Sequence, residues 1–183
     1  MLIQTPYTEI PHELLKKAGM IKLLICDVDG VLSDGKIYMG NQGEELKTFH
    51  TKDGFGIKAL LHEEINIAVI TGRQSKIVSD RMSALGVTHV YQGQGDKLPA
   101  FYTLMQKLNL TADQIAYIGD DVIDIPVMQQ AGFSVAVADA HPLVKRAADY
   151  VTVTKGGEGA VRECCDLILQ AIDKLTLAKG LSV

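Results

Sequence analysis

IKLLICDVDGVLSD, residues 21–34, runs from an apolar segment straight into two carboxylates separated by one residue. Ile21, Leu23, Leu24 and Ile25 read as a buried strand, because a short apolar run ended by turn residues suits a parallel sheet covered on both faces. Asp27 and Asp29 then fall at its carboxyl end, the edge of an open α/β sheet where ligands bind. Two carboxylates held that close repel unless a cation or a proton lies between them, and the simplest resident cation is Mg²⁺. Gly30 permits a tight turn after Asp29, so the following amides can face an anion. A metal, carboxylates and free amides point to phosphate chemistry. The plain alternative is a strand ending in a solvated acidic turn, and residues farther along decide between the two.

Working outward, the 183 residues suffice for one well-buried domain, 1–183, and are too few for two comfortable ones. With 47% hydrophobic and 22% charged residues the composition is that of a globular protein, and no apolar run approaches a bilayer span. The start, MLIQTPYTEIPHELLKK, lacks the basic and apolar regions of a signal peptide, so a cytoplasmic location is expected. Cys26, Cys164 and Cys165 have no metal-ligand spacing and read as reduced packing residues. A net charge of −4 without a basic stripe argues against a nucleic-acid surface.

Pro11 to Gly19 reads as a short amphipathic helix, and KIYM with ELKTFH flanks a GNQG turn as the arms of a β-hairpin at about 35–50. Ile37, Met39, Leu46 and Phe49 on that projecting hairpin would form an exposed apolar patch, which predicts a homo-oligomer built partly on it. A helix is expected from Phe55 to His62, then the strand INIAVITGR, then a helix capped by Ser75 and stopped at Gly86. VTHVYQG, IAYIGDD, FSVAVAD and DYVTVT supply further strands, and DKLPAFYTLMQKLN, VIDIPVMQQAG and GEGAVRECCDLILQAIDKL further helices. Short links between alternating elements imply a doubly wound, mostly parallel sheet.

Asp27 and Asp29, Thr71, Lys97, and Asp120 with Asp121 and Asp124 all fall at or just after strand ends, on one rim. DVDGVLSDG and IGDDVIDIPVM, with Thr71 and Lys97 between them in that order, make the chain similar to the haloacid dehalogenase-like phosphatase superfamily over almost its whole length. The resemblance implies a Rossmann-like core and an aspartyl-phosphate mechanism. Asp27 would be the nucleophile and Asp29 the acid and base. Mg²⁺ would be held by Asp27, Asp29 through its carbonyl, and Asp120, with Asp121 and Asp124 acting through water or as orienters. The Thr71 hydroxyl, the Gly72 amide and Lys97 would bind phosphoryl oxygens. Between Asp29 and Thr71, and between Thr71 and Lys97, there is no room for the cap domain that many members insert, so a neighbouring subunit would have to close the site.

Within the capless members, the DVDGVL start, KTFHTKDGFGIK and GGEGAVRE resemble the 3-deoxy-D-manno-octulosonate 8-phosphate phosphatases, although Cys26 stands where Thr or another residue is expected. That resemblance implies a small-molecule sugar acid phosphate as substrate, a role in lipopolysaccharide sugar synthesis and a tetramer with hairpins at its centre. It also makes Lys52, Asp53 and Arg73 candidates for sugar contacts, with Arg73 suited to a carboxylate by its planar fork. The AKGLSV end is a candidate visitor to a neighbouring site. Other readings are a phosphatase for a nine-carbon sialic-type substrate, a receiver-type phospho-acceptor and a catalytically dead oligomerisation module. A receiver would carry its acceptor Asp at the end of a middle strand, where this chain has Thr71.

Overall fold

The computed structural model describes residues 1–177. An antiparallel ribbon, β1 (Leu2–Gln4) with β2 (Glu9–Pro11), leads into α1 (His12–Gly19) and then β3 (Leu23–Cys26), all four of whose residues are buried. The hairpin β4 (Tyr38–Met39) and β5 (Glu45–Leu46) follows, then α2 (Thr51–His62), β6 (Asn66–Ile70), α3 (Lys76–Leu85), β7 (His89–Tyr91) and α4 (Leu98–Lys107). The second half holds β8 (Ile115–Gly119), α5 (Ile125–Met128), β9 (Phe133–Ala136), α6 (Pro142–Ala147), β10 (Tyr150–Val151) and α7 (Ala160–Ala171).

Six strands form one parallel sheet in the order β10-β9-β8-β3-β6-β7. The chain winds outward from β3 through β6 to β7, then returns and winds the other way from β8. The topological switch point therefore lies between β3 and β8, where the flanking loops part and leave a crevice. Register fixes what meets there: Cys26 lies beside Val69 and Ile118, so the residues just after each of these strands share one rim. Helices α1, α2 and α7 pack together on one face, and α4, α5 and α6 on the other. Both faces being covered, β3, β6 and β8 can be apolar nearly throughout, as their sequences are.

The expected order of elements holds, with local differences. α2 begins at Thr51 rather than Phe55, with His50 Nδ1 accepting from the Lys52 amide at 3.1 Å as the cap. Gly54 and Gly56 obscure this in the sequence. The second is required by packing, since a Cβ there would stand 2.9 Å from the Cys165 Cβ of α7. Ser75 occupies the N-cap position of α3, yet its hydroxyl is buried and bonds nothing, and its amide donates to Gln92 Oε1 instead. The expected helix over 122–132 is a single 3₁₀ turn, Val122–Asp124, followed by the one-turn α5 with Pro126 in it. The β1–β2 ribbon and α6 are too short to leave a periodic signal.

The hairpin projects as expected but its arms are only two residues each. Ile37, Met39 and Leu46 are 54%, 77% and 66% exposed. Phe49 does not join them; it turns back and packs on the core. Cys26, Cys164 and Cys165 are buried and free. The AKGLSV end lies outside the described residues.

Candidate active site

β3 is hydrogen-bonded on both sides, and the ladder extends one residue further through the Asp27 amide to the Ile118 carbonyl at 3.1 Å. Asp27 is thereby held on the floor of the crevice. One oxygen, Oδ1, accepts from the Val28 amide at 2.7 Å, and the other, Oδ2, lies 2.9 Å from Lys97 Nζ. Lys97 stands at the start of α4 with its side chain 1% exposed. Its ammonium group also donates to Asp124 Oδ1 at 2.7 Å and lies 3.2 Å from the Tyr117 hydroxyl.

Asp124 is the hub of this cluster. Its Oδ1 accepts from Lys97 and from Tyr117 Oη at 2.6 Å, while its Oδ2 accepts the amides of Asp120 and Asp121 at 3.0 and 3.1 Å. One carboxylate thus anchors Lys97 and shapes the turn that presents Asp120. Gly119 allows it, because a Cβ there would overlap the Asp124 side chain. Gly30, at φ +88°, makes a similar close approach, and any side chain there would run into the Asp120 carboxylate.

Carboxylate oxygens of Asp27, Asp120 and Asp124 lie within 4.8 Å of one another. Asp120 Oδ1 is buried without a hydrogen-bond partner. Burial, then the charges of Asp27, Asp124 and Asp121, push the Asp120 carboxyl up to about 8. Asp27 rises to about 6 through burial and Asp124, against the opposing pull of Lys97. For Lys97, burial favours the neutral amine, but Asp27 and Asp124 outweigh it and the amine is held as a cation. Three acidic groups against one buried cation leave the cluster short of positive charge. An orphaned hard oxygen in such a field fits a divalent ion of the Mg²⁺ type.

A cleft of about 290 Å³ opens above these groups, and Asp27, Asp29, Thr71, Gly72, Arg73, Lys97, Asp120 and Asp121 line it. Thr71 continues β6 toward β7, its amide donating to the Tyr91 carbonyl and its carbonyl accepting from the Gln94 amide. Asp121 is exposed at the lip and caps the 3₁₀ turn through Val122. Gly30 and Asp124 do not line it, and Asp124 is fully buried. Two predicted sugar contacts are not brought here. Lys52 is exposed on the first turn of α2, and Asp53 is buried with Oδ1 accepting the Arg162 amide at 2.8 Å, at the start of α7. Burial, opposed by that amide, raises the Asp53 carboxyl to about 6.

A model for haloacid dehalogenase-like hydrolases matches residues 83–163. A Yersinia pestis protein named 3-deoxy-D-manno-octulosonate 8-phosphate phosphatase is 59% identical over 99% of this chain and 97% of its own. The crystal structure of a Yersinia pestis phosphatase of that name superposes with a TM-score of 0.98 at 58% identity, covering 100% of this chain and 99% of the other. The chain belongs to the 3-deoxy-D-manno-octulosonate 8-phosphate phosphatase family. A Moraxella catarrhalis structure of this family, described as a complex with magnesium, phosphate and a KDO molecule, matches at 43% identity and a TM-score of 0.90 over 92% of this chain and 97% of that one.

Membership makes the chain a phosphoric monoester hydrolase and sets aside the receiver and dead-module readings. Some of the side chains in contact with the site residues carry no sequence signal. Tyr117 looks like one more apolar residue of β8, and only the fold aims its hydroxyl at Asp124. Lys47 reads as an ordinary polar residue of the hairpin exit, yet its side chain is 2% exposed and its ammonium group contacts Asp29 Oδ1. Glu45, in β5, accepts from Arg73 Nη2 at 2.9 Å. No helix among the described residues is long and apolar enough to cross a membrane.

Proposed function

We infer that the protein is a Mg²⁺-dependent phosphatase that converts 3-deoxy-D-manno-octulosonate 8-phosphate to 3-deoxy-D-manno-octulosonate and phosphate. The observation that carries the reading is Asp27 at the switch point, with Lys97 on one oxygen and Asp120, whose Oδ1 is buried without a partner, within reach. The substrate for which the Yersinia pestis relative is named, at 59% identity over nearly the whole chain, supports the choice of sugar.

Asp27 attacks phosphorus in line; the bond from its carboxylate oxygen to phosphorus forms as the bond to the sugar oxygen breaks. Asp29 gives its proton to the departing alkoxide, then takes one from the water that attacks the aspartyl-phosphate, and phosphate leaves with Asp27 restored. Lys97, the Thr71 hydroxyl and the Gly72 amide hold the phosphoryl oxygens as charge builds on them. Mg²⁺, which Asp27, Asp120 and the Asp29 carbonyl would hold with Asp121 at the lip, supplies charge neutralisation between nucleophile and phosphate. Asp124 and Tyr117 act on Lys97, fixing its ammonium group. Arg73 at the cleft edge takes the sugar carboxylate.

The described residues share one buried apolar cluster, which supports a single domain. The exposed Ile37, Met39 and Leu46 support a homotetramer assembled through the hairpin. We place the enzyme in the cytoplasm, where its free cysteines stay reduced, working in lipopolysaccharide sugar synthesis. The test is phosphate release, with and without Mg²⁺, from eight- and nine-carbon sugar acid phosphates and hexose phosphates. Metal-dependent preference for the eight-carbon substrate is expected. Preference for a nine-carbon acid would overturn the substrate and keep the mechanism; no turnover would remove both.

A further inference from the structure

The hairpin reaches the catalytic rim through two of its own side chains. Lys47, one residue past β5, brings its ammonium group into contact with Asp29 Oδ1. A lysine whose side chain is only 2% exposed is not a casual surface pair, because an unpaired cation is costly to enclose. Its partners therefore fix it. Besides Asp29 it has Glu45 Oε1 at 3.7 Å; Glu45 holds Arg73 Nη2 at 2.9 Å, and Arg73 Nε lies 3.9 Å from Asp29 Oδ2. The four side chains close a ring, two from the hairpin and two from the rim.

We propose that Lys47 is a positioning residue for Asp29, holding Oδ1 so that Oδ2 is the oxygen that delivers the proton to the leaving group. The contact is asymmetric in the required way: the Lys47 ammonium group sits on Oδ1, and the Arg73 Nε that faces Oδ2 stands beyond hydrogen-bond range. As the phosphorus-to-sugar-oxygen bond breaks, the proton on Oδ2 passes to the alkoxide and Asp29 is left as a carboxylate beside Lys47. The proposal rests on the acid role inferred above for Asp29. It adds that the acid step depends on a folded hairpin, so a surface suited to assembly also orders a catalytic group.

Leaving groups separate this from a merely structural role. An alkyl phosphate needs a proton on its departing oxygen, and an aryl phosphate such as p-nitrophenyl phosphate does not. First-turnover release of the alcohol reports phosphoryl transfer to Asp27 alone. Lys47→Met is expected to slow release of the octulosonate by about 100-fold, as misplacing a catalytic group does, with release of p-nitrophenol changed less than about 3-fold and KM little altered. Lys47→Arg should recover most of the rate. Equal losses on both substrates, or none, would overturn the proposal. Met39→Ser, which leaves the ring intact, controls for assembly: if it gives the same selective loss, Lys47 acts through the oligomer and the proposal falls. Asp29→Asn tests the underlying reading separately. If it shows selectivity and Lys47→Met does not, only the positioning role is lost; if it shows none, the acid assignment falls and takes the proposal with it.

Discussion

The acidic rim and the hairpin meet at Asp29 and Arg73 and are held in opposite ways. Asp27 and Asp120 follow strands buried on both faces and pinned on both edges, and Asp124, with all its oxygens engaged, locks Lys97 and the Asp120 turn. The hairpin has two-residue arms, exposed apolar side chains and an ion-pair ring tying it to the rim. Covalent chemistry is thus placed on the rigid part of the sheet. The hairpin touches two of the rim's groups, Asp29 and Arg73, through Lys47 and Glu45.

The sharpest break in that contrast is on the rim. Asp27→Asn should lower turnover by about 10⁴-fold or more, the scale seen when a nucleophile is removed, with circular dichroism and sedimentation unchanged. Appreciable phosphate release from that variant would sink the nucleophile. Lys97→Met should be worse for the fold, because it strips the cation from Asp27 and Asp124 together; a loss of about 3–5 kcal/mol is the scale for breaking a buried pair. Equal denaturation midpoints for the variant and the parent would mean that the carboxylates do not depend on Lys97.

The metal sharpens the contrast further. With Asp120 at about 8, the cation-free protein carries a proton there at pH 7. A carboxyl raised above its unfolded value favours the folded state below pH 4 and costs stability as pH climbs through 8. Adding Mg²⁺ at pH 7 in weak buffer should therefore release about one proton per site, and chelation should lower the melting temperature more at pH 8 than at pH 6. Binding without proton release would place the ion away from Asp120. On the hairpin side, Met39→Ser with Leu46→Ser should yield smaller species in sedimentation while the melting temperature moves little. An unchanged sedimentation coefficient would refute the hairpin interface.

How much of this was legible in sequence follows the same division. Asp27, Asp29 and Asp120 announce themselves because each sits where an apolar run stops, and a strand buried on both faces leaves few other readings of that boundary. Lys97 and Thr71 are ordinary alone and become readable by order and by the rim they share. Tyr117 and Lys47 are illegible for a physical reason: their contacts, to Asp124 and Asp29, are set by how strand, turn and hairpin pack and not by a local residue pattern. Lys52 and Asp53 lie in a motif stretch near the site but do not line the cleft. The early start of α2 turns Asp53 inward to the first amides of α7.

That inward turn yields a prediction outside both regions. Asp53 is buried with one oxygen on the Arg162 amide and the other without a partner, and its carboxyl stands at about 6 against an unfolded value of 3.8. Between those values the folded chain holds more protons than the unfolded one, so stability falls as pH rises across the window. The contribution is full below pH 4 and gone above pH 6. Asp53→Asn keeps an acceptor for the amide but nothing that ionises, so its stability should fall less over pH 4 to 7, by on the order of 1–3 kcal/mol. Mg²⁺ held at saturation keeps the rim carboxylates ionised in both proteins, so the difference isolates residue 53. Parallel melting curves across that range would mean that Asp53 is ionised in the fold throughout, with Arg162 and Arg81 compensating its burial.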